Sequence, residues 1–352
     1  MTRRTLSPAA LICLLIVTGV ARAQTVQPPY NASYTLTNLG SVAGLPTPYG
    51  GLDFLPSNSN TLVIGGAANT ASGALYSIGV VRGAGNHITG FTGSAALFSA
   101  GEYNDGGVKF GPGGVLFYTR YPVNQMGQIE PGSTINDRII DLSPLGFSSS
   151  VGALNFVPGG FPGAGQLKVV IYNTGDWYTA SFAPDGAGTF NITSPVLNTT
   201  INVGPEGFVW VPPGSPIFPS GTSMLVSEYS NGVVGTYQID GGGNPVPASR
   251  AVFISGLTGA EGAVIDPVTG DFLFSTFGGG NQVIVVRGFA IPVGATPTPT
   301  PTGPAATATP TATLTPTLSA VAAVVPTLSF PMLGLLGLLL AGAAFWMIVR
   351  RS

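Results

Sequence analysis

The chain has 352 residues, of which 44% are hydrophobic and only 7% charged, with 52 glycines and 31 prolines. That much glycine and proline approaches low-complexity composition, but the apolar residues fall in short runs between turn residues, as in an all-β protein with many tight turns. Between Ala23 and Val349 lie 7 basic and all 14 acidic residues, a net charge of −7. With no basic cluster to neutralise phosphates, nucleic acid is excluded as a partner.

Thr2-Arg3-Arg4 is a basic start, and residues 8–20 form an apolar run too short to span a bilayer. Ala21-Arg22-Ala23 then matches a small-x-small cleavage pattern, so residues 1–23 read as a signal peptide and Gln24 as the mature N-terminus. The Sec export machinery and signal peptidase are the partners this implies. The single cysteine, Cys13, lies inside this segment and follows Leu11 and Ile12, not the small residues of a lipidation site. A mature chain without cysteine has no disulfide, thiol nucleophile or Cys-ligated metal.

Residues 24–294 carry an internal repeat. A glycine, a short apolar stretch and a proline recur as Gly51-Leu52-Asp53-Phe54-Leu55-Pro56, Gly107-Val108-Lys109-Phe110-Gly111-Pro112 and Gly152-Ala153-Leu154-Asn155-Phe156-Val157-Pro158. Gly207-Phe208-Val209-Trp210-Val211-Pro212 and Gly262-Ala263-Val264-Ile265-Asp266-Pro267 complete the set, with prolines 56, 46, 54 and 55 residues apart. Proline lacks the N–H that would extend the ladder, and the glycines that follow supply hairpin turns. A second β-rich run follows each proline, for example Val115-Leu116-Phe117-Tyr118, and a third is legible in most units. A fourth shows at residues 190–192 and 251–254.

Units of about 50 residues with four strands predict a β-propeller. Five blades are expected, or six if a divergent one is hidden. The last unit stops after three strands, and Tyr34-Thr35-Leu36-Thr37-Asn38-Leu39-Gly40 stands before the first, so the N-terminal strand is expected to complete the last blade and close the ring.

Residues 295–324 are rich in Thr, Pro and Ala, a polyproline-type stalk. Residues 330–349 are uncharged, long enough for one transmembrane helix, and Arg350 and Arg351 follow as a cytoplasmic stop. Val325-Pro326-Thr327-Leu328-Ser329, the apolar helix and Arg350-Arg351 together resemble the IPTL-CTERM sorting signal, similar in layout to PEP-CTERM tails of Gram-negative bacteria. The copy departs from that pattern at Val325 and at Phe330-Pro331. The resemblance implies an exosortase-like sorting enzyme, membrane attachment through the C-terminal helix, and a place in the cell envelope or at the cell surface.

Candidate chemistry is sparse. The first strand of each blade lines the channel of a propeller, and the residue before its glycine sits near one rim. Glu206 and Glu261 hold that slot and Asp105 precedes Gly106-Gly107, while Val151 and Gly50 fill the other two. Convergent carboxylates suit Ca²⁺, a hard cation; equally, they could accept backbone N–H bonds at blade corners. Glu261-Gly262-Ala263-Val264-Ile265-Asp266-Pro267 and Glu206-Gly207-Phe208-Val209-Trp210-Val211-Pro212 resemble repeat openings of NHL-repeat and gluconolactonase-like propellers. That resemblance implies Glu206 as the first candidate metal ligand.

His87, the only histidine, reads as a solvent-facing loop residue, and no nucleophile–His–acid motif accompanies it. Trp177 and Tyr178 lie outside the repeat register and are candidates for a carbohydrate-binding face or for the core. The expected function is noncatalytic: an exported propeller displaying a binding surface for a polymer, matrix component or partner protein. The alternative is a metal-dependent hydrolase or lactonase of gluconolactonase type, and a passive coat protein is the third class.

Overall fold

Each repeat proline follows a short apolar strand, and in the computed structural model, which describes residues 23–292, five such strands stand around one axis. Blade 1 comprises Leu52–Leu55, Asn58–Gly66, Ala74–Arg82 and Ile88–Ala100; blade 2 comprises Asn104–Phe110, Leu116–Arg120, Gln125–Ile129 and Arg138–Asp141. Blade 3 is built from Val151–Phe156, Leu167–Ile171, Asp176–Pro184 and Phe190–Thr200. Blade 4 contains Pro205–Trp210, Ser223–Glu228, Val233–Gln238 and Ala251–Ser255. Blade 5 takes Ala260–Ile265, Phe272–Thr276 and Val283–Arg287 from the end of the repeat region, and its fourth strand is Thr35–Gly40.

All pairings are antiparallel, and the fold is an all-β, five-bladed propeller of four-stranded blades. Thr35 stands opposite Arg287 and Leu36 opposite Val286. The two-residue strand Thr25–Val26 adds a fifth strand to the outer edge of blade 4. Among the described residues there is no α-helix, and no helix long and apolar enough to cross a membrane. The cleavage-site residues Ala21 and Arg22, the stalk, the sorting motif and the expected helix 330–349 lie outside the described residues.

The hydrophobic core is divided among the gaps between blades. One cluster packs Leu225 and Phe253 of blade 4 on Phe272 and Ile284 of blade 5. Another joins blade 5 to blade 1 through Val264, Leu273, Leu52 and Ile64. The blade 2–3, 3–4 and 1–2 gaps are filled in the same way. Strands buried on both faces explain why the middle runs are continuous apolar stretches instead of alternating ones. Trp177 belongs to the blade 3–4 core and is fully buried, and Tyr178 packs edge-on against Phe147. Neither offers a carbohydrate-binding face; the aromatic area is spent between sheets.

His87 also departs from expectation. Its Nδ1 lies 2.6 Å from the Oδ2 of Asp271, a fully buried acid of blade 5, and beside it Arg82 makes a two-pronged pair with buried Asp266. Blade 1 and blade 5 are thus tied by one ion pair and one side-chain hydrogen bond.

The N-terminal segment is held by Tyr34, packed among Phe218, Phe253 and Phe289, with its hydroxyl donating to the Pro216 carbonyl at 2.5 Å. Tyr34→Phe keeps the ring and removes that bond, so it should cost about 1 kcal/mol in urea unfolding. A loss above about 3 kcal/mol would mean that the hydroxyl, not the ring, holds the segment.

Candidate cation site in the channel

Near the start of each inner strand the pairing with the second strand slips. The shifts fall between Asn104 and Val108, between Pro205 and Phe208, and between Ala260 and Ala263. Asp105, Glu206 and Glu261 sit in these three bulges, a device that re-aims a side chain out of the ladder. Gly262 N–H is satisfied by the Ser275 hydroxyl, which in turn donates to the Gly50 carbonyl of the next blade. Gly107 N–H and the Gly152 carbonyl are linked in the same way through Thr119.

The structure brings the three carboxylates together. Each offers one oxygen, and these atoms lie within 4.8 Å of one another. The side chains are 1–2% exposed, and Asp105 Oδ2, Glu206 Oε2 and Glu261 Oε1 have no hydrogen-bond partner. They form the floor of a cavity of about 280 Å³ that is also lined by Asn69, Tyr121, Tyr172, Tyr229 and Phe277. No lysine, arginine or histidine contributes to this lining. Further along the blade 2 inner strand, buried Lys109 donates from Nζ to the carbonyls of Leu52 (3.0 Å) and Ala263 (2.6 Å), linking three blades.

The two remaining slots hold glycine. Gly50 fills the slot in blade 1, as the spacing implied, but in blade 3 the bulge is shorter and Gly152, not Val151, faces Glu206. A Cβ at Gly152 would lie 3.0 Å from Glu206 Oε2, and one at Gly106 would lie 2.4 Å from the same atom. Glycine is what leaves the carboxylate its room.

Burial, reinforced by mutual repulsion, dominates the electrostatics. Burial raises the Asp105 carboxyl to about 7, against hydrogen bonding that pulls it down. Glu206 is raised well above the usual range by burial and then by the Asp105 charge, and Glu261 by burial and by both other acids. Such a set is stable only if protons or a cation neutralise it.

A hard cation fits the donor set. All three ligands are carboxylates and the Oδ1 of Asn69 is a fourth orphaned oxygen beside them. An ion centred among oxygens 4.8 Å apart would lie within about 2.8 Å of each, an upper bound compatible with Ca²⁺–oxygen distances. Zinc's preference for nitrogen and sulfur is not met.

The aromatic rim was not legible as a site from the sequence. Tyr121, Tyr172, Tyr229 and Phe277 each come directly after the second strand of blades 2 to 5. That repeated position was the available signal.

The sequence matches no protein-family profile and no curated protein. Similarity is found to solved structures. A carbohydrate-active enzyme of family AA12 from Trichoderma reesei, in its iodide structure, aligns with TM-score 0.45 at 9% identity, over 76% of this chain and 98% of that one. An auxiliary nutrient binding protein from Bacteroides thetaiotaomicron aligns with TM-score 0.40 at 11% identity, over 72% and 76%. A structure with a provisional phosphatase assignment from the same organism aligns with TM-score 0.40 at 12% identity, over 68% of this chain, which spans 60% of that one. These are similarities of fold and do not bear on ligand or activity.

Proposed function

We propose that this protein is an exported, noncatalytic binding module whose channel mouth takes up a cation, Ca²⁺ being the first inorganic candidate, held by Asp105, Glu206 and Glu261. The observation that carries this reading is the convergence of three buried carboxylates in one cavity, each with an oxygen that has no hydrogen-bond partner. A buried polar atom is ordinarily paired, and an unpaired oxygen on each of three neighbouring acids points to a positive charge shared among them. In this reading the N-terminal strand fastens the ring, and residues 295–324 hold the propeller away from the membrane. The tail from Val325 to Arg351 keeps it at the cell surface, where an exosortase-like enzyme reads it. The displayed mouth then meets a polymer, matrix component or partner protein.

A metal-dependent hydrolase of gluconolactonase type is the second reading, favoured by the same triad, since three protein ligands would leave a hard cation with open positions facing the cavity. The bound ion would supply Lewis-acid activation of an ester or lactone carbonyl. Metal content and lactone turnover of the purified full chain, beside Glu206→Gln, separate the two. Glu206-dependent metal retention without turnover is expected; turnover lost in the variant would replace the module with the hydrolase.

A further inference from the structure

The rim above the carboxylates repeats with the blades. Tyr121, Tyr172, Tyr229 and Phe277 are held alike, their backbone N–H groups donating to the carbonyls of Tyr103, Ser150, Gly204 and Gly259. Successive ring centroids are 5.5, 5.6 and 6.0 Å apart, with interplanar angles of 78°, 82° and 70°. A ring lying flat across the channel would stay parallel to its neighbour after the fifth of a turn between blades. The observed angles are those of edge-to-face contacts, so the rings do not all lie flat, and the four form a continuous aromatic wall along the cavity lining. In blade 1 the equivalent position is Ala68, whose N–H donates to the Pro48 carbonyl, and the neighbouring Asn69 lines the cavity there in place of a ring.

The floor has an arrangement of its own. The acids come from blades 2, 4 and 5, and the glycine slots of blades 1 and 3 fall between them. The three acids therefore approach the cavity from three blades, Glu206 and Glu261 from neighbouring ones. A group centred among their converging oxygens lies at most about 2.8 Å from each, a bound that admits charge-assisted N–H···O⁻ bonds. A metal ion would occupy a small part of the cavity and leave the aromatic wall without a role. A primary ammonium group has three N–H donors for three acceptors and a carbon chain for the wall.

We propose that the channel mouth binds a primary alkylammonium group, its nitrogen donating one hydrogen bond to each of Asp105, Glu206 and Glu261 and its methylenes enclosed by the four rings. This rests on the reading of the mouth as a cation site and names the cation. The group reaches the mouth either on a lysine side chain of a partner polypeptide or as a free polyamine.

Calorimetric titration of the full chain with n-pentylammonium, tetramethylammonium and Ca²⁺ tests it. One n-pentylammonium per chain is expected, at least about tenfold tighter than tetramethylammonium, which has no N–H to donate. Tyr172→Leu and Tyr229→Leu should each weaken n-pentylammonium about fivefold, with melting curves checking that the variants fold. Equal or tighter binding of tetramethylammonium overturns the proposal, as does unchanged affinity in both folded leucine variants. Ca²⁺ binding without n-pentylammonium binding overturns the proposal and leaves the cation site standing; binding of neither removes both. A lysyl peptide that binds tighter than spermidine assigns the group to a partner polypeptide, and the reverse order to a free polyamine; either supports the head-group chemistry.

Discussion

Glu206→Gln will raise the melting temperature of the cation-free protein and abolish its rise with Ca²⁺. In the cation-free state the variant replaces a carboxyl whose ionisation is opposed by burial and by the neighbouring Asp105 with a neutral amide of the same shape. In the wild type, Ca²⁺ at about 100 times its dissociation constant adds about 2.7 kcal/mol, or roughly 5–10 °C for a domain of this size. The variant should show almost none of that rise.

The pH dependence has a definite sign. Burial and mutual repulsion raise the folded-state values of Asp105, Glu206 and Glu261 above their unfolded ones, so the native state binds these protons more tightly. Their stabilising contribution is complete below the unfolded carboxyl range, about pH 4, and is lost as pH rises through the folded values, that of Asp105 being about 7. Cation-free wild type should therefore lose stability from about pH 5 to pH 8 relative to Glu206→Gln, whereas saturating Ca²⁺ should oppose the loss because protons compete for the same oxygens. Scanning calorimetry of both proteins across that range reads the difference. Parallel curves would mean that the acids are paired by groups other than a cation.

The second large effect belongs to Gly207→Ala. A Cβ at Gly207 would lie 2.4 Å from Ala263 N, 2.6 Å from Gly262 C and 2.7 Å from Glu261 O, all backbone atoms of the neighbouring inner strand. Gly51, Gly107 and Gly262 meet the backbone of the next blade in the same way. The repeat glycine is therefore the residue that lets five inner strands approach around the axis. Backbone cannot rotate aside as a side chain can, so the substitution should cost about 3 kcal/mol, at the upper end of ordinary overpacking. Gly241, with nothing within 4 Å of its would-be Cβ, is the control, and Gly241→Ala should be neutral to within about 1 kcal/mol. Because Glu261 O is among the contacts, Gly207→Ala should also blunt the Ca²⁺ response. Equal denaturation midpoints for the two variants would contradict an axis packed this tightly.

Much of this architecture is written in the repeats. The five Gly–apolar–Pro segments mark the five inner strands, because each needs a glycine for close approach and a proline where pairing stops. The outer strands are less legible. Ile88–Ala100 has only two buried residues and mixes Gly, Ser, Thr and Ala with its apolar residues, and Arg138–Asp141 and Thr25–Val26 are too short to carry a period. Spacing alone placed Val151 in the channel slot where the shorter bulge of blade 3 puts Gly152. The convergence of Asp105, Glu206 and Glu261 was readable because Glu206 and Glu261 directly precede a repeat glycine and Asp105 stands just before the Gly106-Gly107 pair. The rim was not, since an aromatic after a strand is indistinguishable in sequence from one more core residue, as Trp177 proved to be. His87 escaped for a related reason: its partner, Asp271, lies 184 residues away.

Tyrosine-sensitised terbium luminescence tests the cation site most directly, since Tb³⁺ substitutes for Ca²⁺ among carboxylates and Tyr121, Tyr172 and Tyr229 line the same cavity. The account predicts a saturable signal from one ion per chain, displaced by Ca²⁺ and lost in Glu206→Gln. No sensitised emission, or emission that survives the substitution unchanged, would contradict it.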